Sequence, residues 1–400
     1  MKYTSDLVDQ IEASASVMAS QKAREMKASG INVISLAAGE PDFPTPPHVV
    51  EAAKAAIDKG QTKYADVRGT LVLRQAIQSK FERDNNLRFS LDEIMVGPGA
   101  KSLIATVLMA SVNPGDEIII PAPSWVSYVD IARLVNGLPV VVETVPESGL
   151  KLDPVRLEAA ITDKSRWLLL NSPGNPTGSV YTKDELVALA TVLERHPHVM
   201  VLSDEIYEYL VFDNVKFVSF LEAAPQLRDR VVTLNGASKG YAMTGWRIGY
   251  SAAPAALTKG MAKVAGQMVG SSSSISQAAA VAAMDGPQGY LAERATSYQS
   301  RRDRVLELLS AIPGLTAIPP QGAFYLYVNC GGILGRATPK GEELKTDSDV
   351  VNYLLEAAAV VTVTGAAYGL SPYFRISIAT DIEQLEEACH RISMAIEELQ

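Results

Sequence analysis

Lys239 closes an apolar run, Val231-Val232-Thr233-Leu234, and opens a small-residue loop that carries Arg247 eight positions on. A lysine so placed can form an imine with an aldehyde cofactor whose phosphate the arginine would reach. Standing alone, it reads as a solvated surface lysine. Asp204 ends a second apolar run, Val199-Met200-Val201-Leu202. It reads either as a helix N-cap before Glu205 or as a carboxylate held against a pyridine nitrogen. A buried aspartate in that second role keeps the nitrogen protonated and makes the ring an electron sink. Tyr207 would point a phenol the same way if a helix starts there. Trp125 offers a flat apolar face for an aromatic cofactor, or is a core tryptophan. Asn175, in Asn175-Pro176-Thr177-Gly178, sits in a proline turn and can donate to a ring oxygen. Gly97-Pro98-Gly99-Ala100 is a tight turn, or a phosphate cradle at the N-terminus of a helix beginning at Lys101. It is neither a Walker loop nor a GxGxxG fingerprint. Arg375 interrupts an apolar strand-like run, and a buried arginine requires an anion; its planar fork suits a carboxylate.

These residues share one kind of position, just after a short apolar run. The runs are Glu93–Gly97, Glu117–Pro121, Pro139–Glu143, Arg166–Asn171, His198–Asp204, Val231–Asn235 and Arg247–Ser251. Helix-period stretches such as Lys101–Val112 and Thr182–Arg195 lie between them. Continuous apolar strands alternating with helices predict an α/β body with a mostly parallel, seven-stranded sheet covered on both faces. Ligands of such a sheet bind beyond the carboxyl ends of its strands. After Gly289 the pattern changes to a long charged helix (Tyr290–Ile312), two apolar strands (Ala323–Val328 and Phe374–Ile378) and an acidic helix from Asp381. This predicts a smaller α+β domain. Residues 48–290 form the large domain in this division, and 1–47, with a helix over Ser14–Ser29, join 291–400. Gly331–Glu342 is expected to be a mobile loop.

The chain has 400 residues, 47% apolar and 20% charged, with a net charge of −9 and no basic block. That composition is globular and carries no nucleic-acid footprint. Cys330 and Cys389 are too few for a disulfide framework, and the four histidines form no metal motif. The N-terminal segment lacks a signal-peptide pattern and no run of 18 apolar residues occurs, so a cytoplasmic location away from membranes is expected.

Taken in order, Ala38-Gly39-Glu40-Pro41-Asp42-Phe43, Lys63-Tyr64 with Gly69, Asn171 to Gly178, Ser203 to Tyr207, Ser238-Lys239 with Thr244 to Tyr250, Gly322 to Tyr325 and Phe374 to Ser377 resemble the class I pyridoxal-phosphate aminotransferases. Specifically, they resemble the bacterial branch of the aspartate aminotransferase family, over nearly the whole chain. The resemblance implies the type I fold of pyridoxal-phosphate-dependent transferases, and pyridoxal 5'-phosphate as cofactor. Lys239 would carry the cofactor and then shuttle a proton. Asp204 would pair with the ring nitrogen, Tyr207 and Asn175 with the ring hydroxyl, and Trp125 would stack. Arg247, Ser238 and the Gly99-Ala100-Lys101 turn would hold the phosphate. Tyr64 would reach the cofactor phosphate of a second subunit, which implies a homodimer with shared sites. Arg375 and the Gly39 backbone would bind the substrate α-carboxylate, beside Trp125 and Asn175.

The resemblance implies transfer of an α-amino group to 2-oxoglutarate by a ping-pong cycle through pyridoxamine phosphate. Aspartate is the first choice of donor, because Lys101 can face a distal carboxylate; Arg68 is another candidate for that role. Aromatic or broadly accepted donors come second, and a β-lyase or decarboxylase third. A transcription regulator on the same fold would need a DNA-binding domain that the pattern does not contain. Several positions depart from the family. Gly236 replaces a serine and removes a phosphate donor. Thr364-Gly365 replaces a Pro-Gly pair, and Glu12 takes the place of a basic residue.

Overall fold

The computed structural model describes residues 2–11 and 13–400; Glu12 lies outside the described residues. The central sheet has seven strands. In spatial order they are Ile94–Gly97, Gly249–Ala252, Val231–Gly236, Met200–Asp204, Ser165–Asn171, Glu117–Ala122 and Leu138–Glu143. Gly249–Ala252 runs antiparallel to both neighbours, while the pairs from Val231–Gly236 outward to Leu138–Glu143 are parallel. The strands are apolar throughout because both faces are covered. Ile119, Leu168, Leu170 and Val201 point into one core. Their alternates Ile118, Ile120, Leu169 and Leu202 point into the other. Each such side chain contributes roughly 1.5–3 kcal/mol on burial.

Helices begin where their capping chemistry lies. Thr182 caps Lys183–Arg195 in a reciprocal capping box with Glu185, and Asp381 caps the acidic helix Ile382–Glu397. The helix predicted from Tyr290 is Gly289–Ser310. Its Leu291 packs in the sheet's core, whereas Tyr298, Val305 and Leu309 pack in a second body of core. That second core underlies a four-stranded antiparallel sheet ordered Val363–Thr364, Tyr373–Ser377, Tyr325–Asn329, Thr316–Ala317. The helix Ala15–Ala28 packs through Ala23 into a separate, smaller cluster with Val361, Val363 and Tyr327.

Three expectations need correction. Arg247 is not in a strand: it adopts a left-handed φ of 56° and the strand starts at Gly249. No helix starts after Asp204; residues 206–209 form a turn in which the Ile206 N–H donates to Asp204 Oδ1 at 3.2 Å. The segment 331–342 is tied down instead of free. Ala337 and Gln400 exchange backbone hydrogen bonds at 3.0 and 2.9 Å, and Thr338 is buried. Glycine and proline content signalled a loop there but not the partner that holds it.

Candidate active site

The carboxyl ends of five strands of the large sheet converge on a cleft of about 820 Å³ between it and the smaller sheet. Asn171 and Asp204 close neighbouring strands in register with each other. Asn171 Nδ2 donates to the Asp204 carbonyl at 2.9 Å, and its Oδ1 accepts the Asn175 N–H at 2.8 Å. One amide thereby sets the strand end and the proline turn together.

Asp204 is buried, and burial pushes its carboxyl up to about 6. The Tyr128 hydroxyl, donating to Oδ2 at 2.8 Å, opposes that rise, as do the Ile206 N–H and the Lys239 charge. Lys239 is half-buried at the cleft floor, above the rings of Tyr207 and Phe324 at 5.7 and 5.6 Å, and donates to the Gly39 carbonyl. Burial, and then the Arg375 charge, lower its amine to about 8. An amine near 8 supplies free base near neutrality, which an ordinary lysine does not. Tyr207 donates to, or accepts from, the Tyr325 hydroxyl at 3.0 Å.

At the other end of the cleft, helix Ala100–Ser111 begins without a side-chain cap, at Gly99 with φ 89°. Its unpaired N–H groups and the Arg247 guanidinium face the same space as Ser238. A methyl group on Gly99 would lie 2.4 Å from Arg247 Nη2, so only glycine lets the guanidinium lie across this turn. At Gly236 a methyl would sit 3.0 Å from the Ile248 carbonyl, which leaves little room for a side chain there.

Arg375 is 1% exposed and meets only neutral acceptors: Asn175 Oδ1 at 3.0 Å and the Ala37 carbonyl at 2.7 Å. Its Nε has no partner among the described residues. The guanidinium lies over the rings of Tyr325 and Tyr368, with centroids 4.3 and 5.2 Å away. A buried cation so held is short of one anion.

The structure therefore brings Lys239, Asp204, Tyr207, Asn175, Trp125, Arg247, Ser238, Ala100, Lys101, Arg375 and Gly39 to one cleft, with Gly99 at its rim. Lys101 Nζ lies 4.7 Å over the Trp125 ring, with its amine lowered by burial and by Arg247. Two candidates lie elsewhere in this chain. Tyr64 is 99% exposed, and Arg68 pairs with Asp92 at 3.1 Å. Tyr128 and Tyr325 were missed. Tyr128 follows Trp125 by three positions, a helical spacing that places both rings together at 5.3 Å.

The donor set fits a phosphorylated aromatic aldehyde. It offers an uncapped helix end with an arginine for the phosphate, an amine of lowered pKa for the aldehyde, and a buried acid for a ring nitrogen. The chain matches the family model for aminotransferase class I and II over residues 31–392. It belongs to that family. This aminotransferase is 51% identical over 378 residues to an aspartate aminotransferase of Rhizobium meliloti strain 1021, covering 94% of this chain and 92% of the relative. It is 47% identical over 392 residues to the aspartate/prephenate aminotransferase of Cereibacter sphaeroides, covering 98% of each. The crystal structure of the aspartate aminotransferase from Rhizobium meliloti superposes with a TM-score of 0.97 at 48% identity, over 100% of both chains. As for the rest of the molecule, no cluster of potential metal ligands and no helix long and apolar enough to cross a membrane occurs among the described residues.

Proposed function

We propose that this aminotransferase uses pyridoxal 5'-phosphate, bound through Lys239, to move the amino group of L-aspartate to 2-oxoglutarate. The observation that carries the reading is the convergence of Lys239, Asp204, Arg247 and Arg375 in one cleft. When bound, the cofactor supplies an electron sink for the charge that develops at the substrate Cα. Asp204, steadied by Tyr128, holds the ring nitrogen's proton. Tyr207 and Asn175 serve the ring hydroxyl and Trp125 covers the ring. Arg247, Ser238 and the N–H groups from Gly99 to Lys101 hold the phosphate. Arg375 and the Gly39 backbone fix the α-carboxylate, which orients the Cα–H bond toward the Lys239 amine. With a pKa near 8, that amine takes the proton as base and returns it as acid.

Purified enzyme should show the visible absorption of a lysine-bound cofactor, and Lys239→Ala should abolish it. An identical spectrum would remove Lys239 from this role. Arg375→Ala is expected to raise the donor KM by the equivalent of about 2–5 kcal/mol. Lys101 supports aspartate as donor because its amine stands in the cleft, against Trp125. A donor panel with 2-oxoglutarate should show an aspartate preference that Lys101→Ala weakens. A second reading extends the substrates to prephenate, as the name of the Cereibacter sphaeroides relative indicates; the same panel run with prephenate tests it. The reading includes a homodimer in which Tyr64 serves the neighbouring site. Its support is the outward position of the Tyr64 ring. A cytoplasmic location is in keeping with two buried cysteines that form no disulfide.

A further inference from the structure

Asp347 is 1% exposed, yet its Oδ2 meets only neutral donors: Ser371 Oγ at 2.7 Å, the Ala366 N–H at 3.0 Å and the Tyr373 N–H at 3.4 Å. All three belong to the segment 365–373, which joins the strand Val363–Thr364 to the strand carrying Arg375. Asp347 opens the helix Asp347–Ala358 but is not needed to cap it. Thr346 and Asp349 already form a reciprocal capping box. With the helix already capped, the buried Asp347 carboxyl serves the donors it gathers from residues 366, 371 and 373.

The next residue reinforces the same attachment. Ser348 Oγ lies 3.1 Å from Thr364 Oγ1, at the end of the strand that leads into this segment. Gly365 then makes a turn that tolerates no Cβ. A methyl there would lie 2.6 Å from the carbonyls of Leu370 and Tyr373. Tyr327 closes the far side, donating to the Leu370 carbonyl at 2.6 Å and stacking on Tyr373. The product of this bracing is the position of Tyr368. Its ring lies against the Arg375 guanidinium, its carbonyl accepts the Ser124 N–H at 2.9 Å beside Trp125, and its hydroxyl is 3.3 Å from Ser16 Oγ.

We propose that Asp347 is a positioning residue for the substrate carboxylate: by fixing residues 365–373 it presses Tyr368 against Arg375 and sets the guanidinium's aim. This rests on the reading of Arg375 as the carboxylate site. Asp347 itself does not line the cleft. A guanidinium braced on two aromatic faces loses little entropy when it receives a carboxylate. One released on the Tyr368 side must be ordered at each binding event.

The test measures the Kd of maleate for the holoenzyme by calorimetry, together with steady-state kinetics and the cofactor's absorption spectrum. Asp347→Ala and Tyr368→Leu should each weaken maleate about tenfold, the worth of one charge-assisted hydrogen bond. KM for the amino donor should rise in parallel, while kcat changes less and the spectrum stays that of the wild type. Asp347→Asn keeps a carbonyl oxygen for the Ser371 and Ala366 donors and should restore most of the affinity. If Asp347→Ala does not fold, Tyr368→Leu and Asp347→Asn decide the matter. Maleate affinity within twofold of wild type in Tyr368→Leu overturns the proposal. So does a fall in kcat and spectrum at constant Kd in the Asp347 variants. Arg375→Ala separates the two readings. If it too leaves maleate binding intact, the carboxylate assignment of Arg375 fails; if it alone weakens binding, only the role of Asp347 fails.

Discussion

Burial shifts two groups in opposite directions across the cleft floor, and Tyr128 moderates one of them. Without its hydroxyl, Asp204 would keep a single N–H donor, from Ile206, against the same desolvation. Tyr128→Phe should therefore raise the Asp204 pKa above its present value of about 6. Isotope-edited spectroscopy of the Asp204 carboxyl in the cofactor-free protein should show its titration moved to higher pH in the variant; an unmoved titration would exclude this role. Lys239 makes a separate prediction for the cofactor-free protein. Its folded pKa of about 8 lies below the ordinary 10.5, so between those values the unfolded chain binds more protons. Stability contributed by this group must rise with pH through that window. Urea titrations at pH 8 and 10 should show the rise in wild type and a smaller one in Lys239→Met. Lys239 and Asp204 were legible because each ends an apolar run, where an α/β sheet presents its chemistry. Tyr128 was not, because a tyrosine on the inner face of a helix looks like any core tyrosine in sequence.

At the scale of elements, the phosphate end depends on one turn having no side chain. Gly99→Ala would force a side chain into a backbone state, φ 89° and ψ 157°, that essentially only glycine adopts, costing about 1–3 kcal/mol, and would drive Arg247 off the helix N-terminus. Cofactor titration of the cofactor-free variant should show affinity at least about tenfold lower, as befits a displaced charge-assisted contact. Equal affinity would mean that the guanidinium does not contribute there. The seven strands of the large sheet, the strands that carry Tyr325 and Arg375, and the five helices assigned from sequence could be read to within two residues, because double-sided burial leaves continuous apolar runs and Thr182 and Asp381 announce their caps. Arg247 was misplaced into a strand because its φ of 56° is a backbone state that a hydrophobicity pattern does not record. The short strands Ile34–Ser35 and Val360–Val361, which pair in parallel, carry no length from which to read a period.

Across the whole molecule, a buried ion pair ties the helix Leu71–Asn85 to the turn behind Tyr207. Lys80 pairs with Glu208, both essentially without exposure, and Asn85 bonds to each. Lys80→Met alone should cost about 3–5 kcal/mol by stranding Glu208. Adding Glu208→Gln should recover much of it, as urea denaturation would reveal. The pair was invisible in sequence because 128 residues separate its members. Quaternary structure offers a cleaner test of shared sites. If the sites are shared, Lys239→Ala and Tyr64→Ala subunits should each be impaired and mixing them should raise activity above that of either alone, since one site of each hybrid would be intact; no gain after subunit exchange would mean that each chain works alone. The covalent anchor itself is best tested by reducing the holoenzyme with borohydride and mapping its peptides by mass. A pyridoxyl phosphate adduct on Lys239 alone is the predicted result, and an adduct absent there or present instead on Lys101 would contradict the assignment.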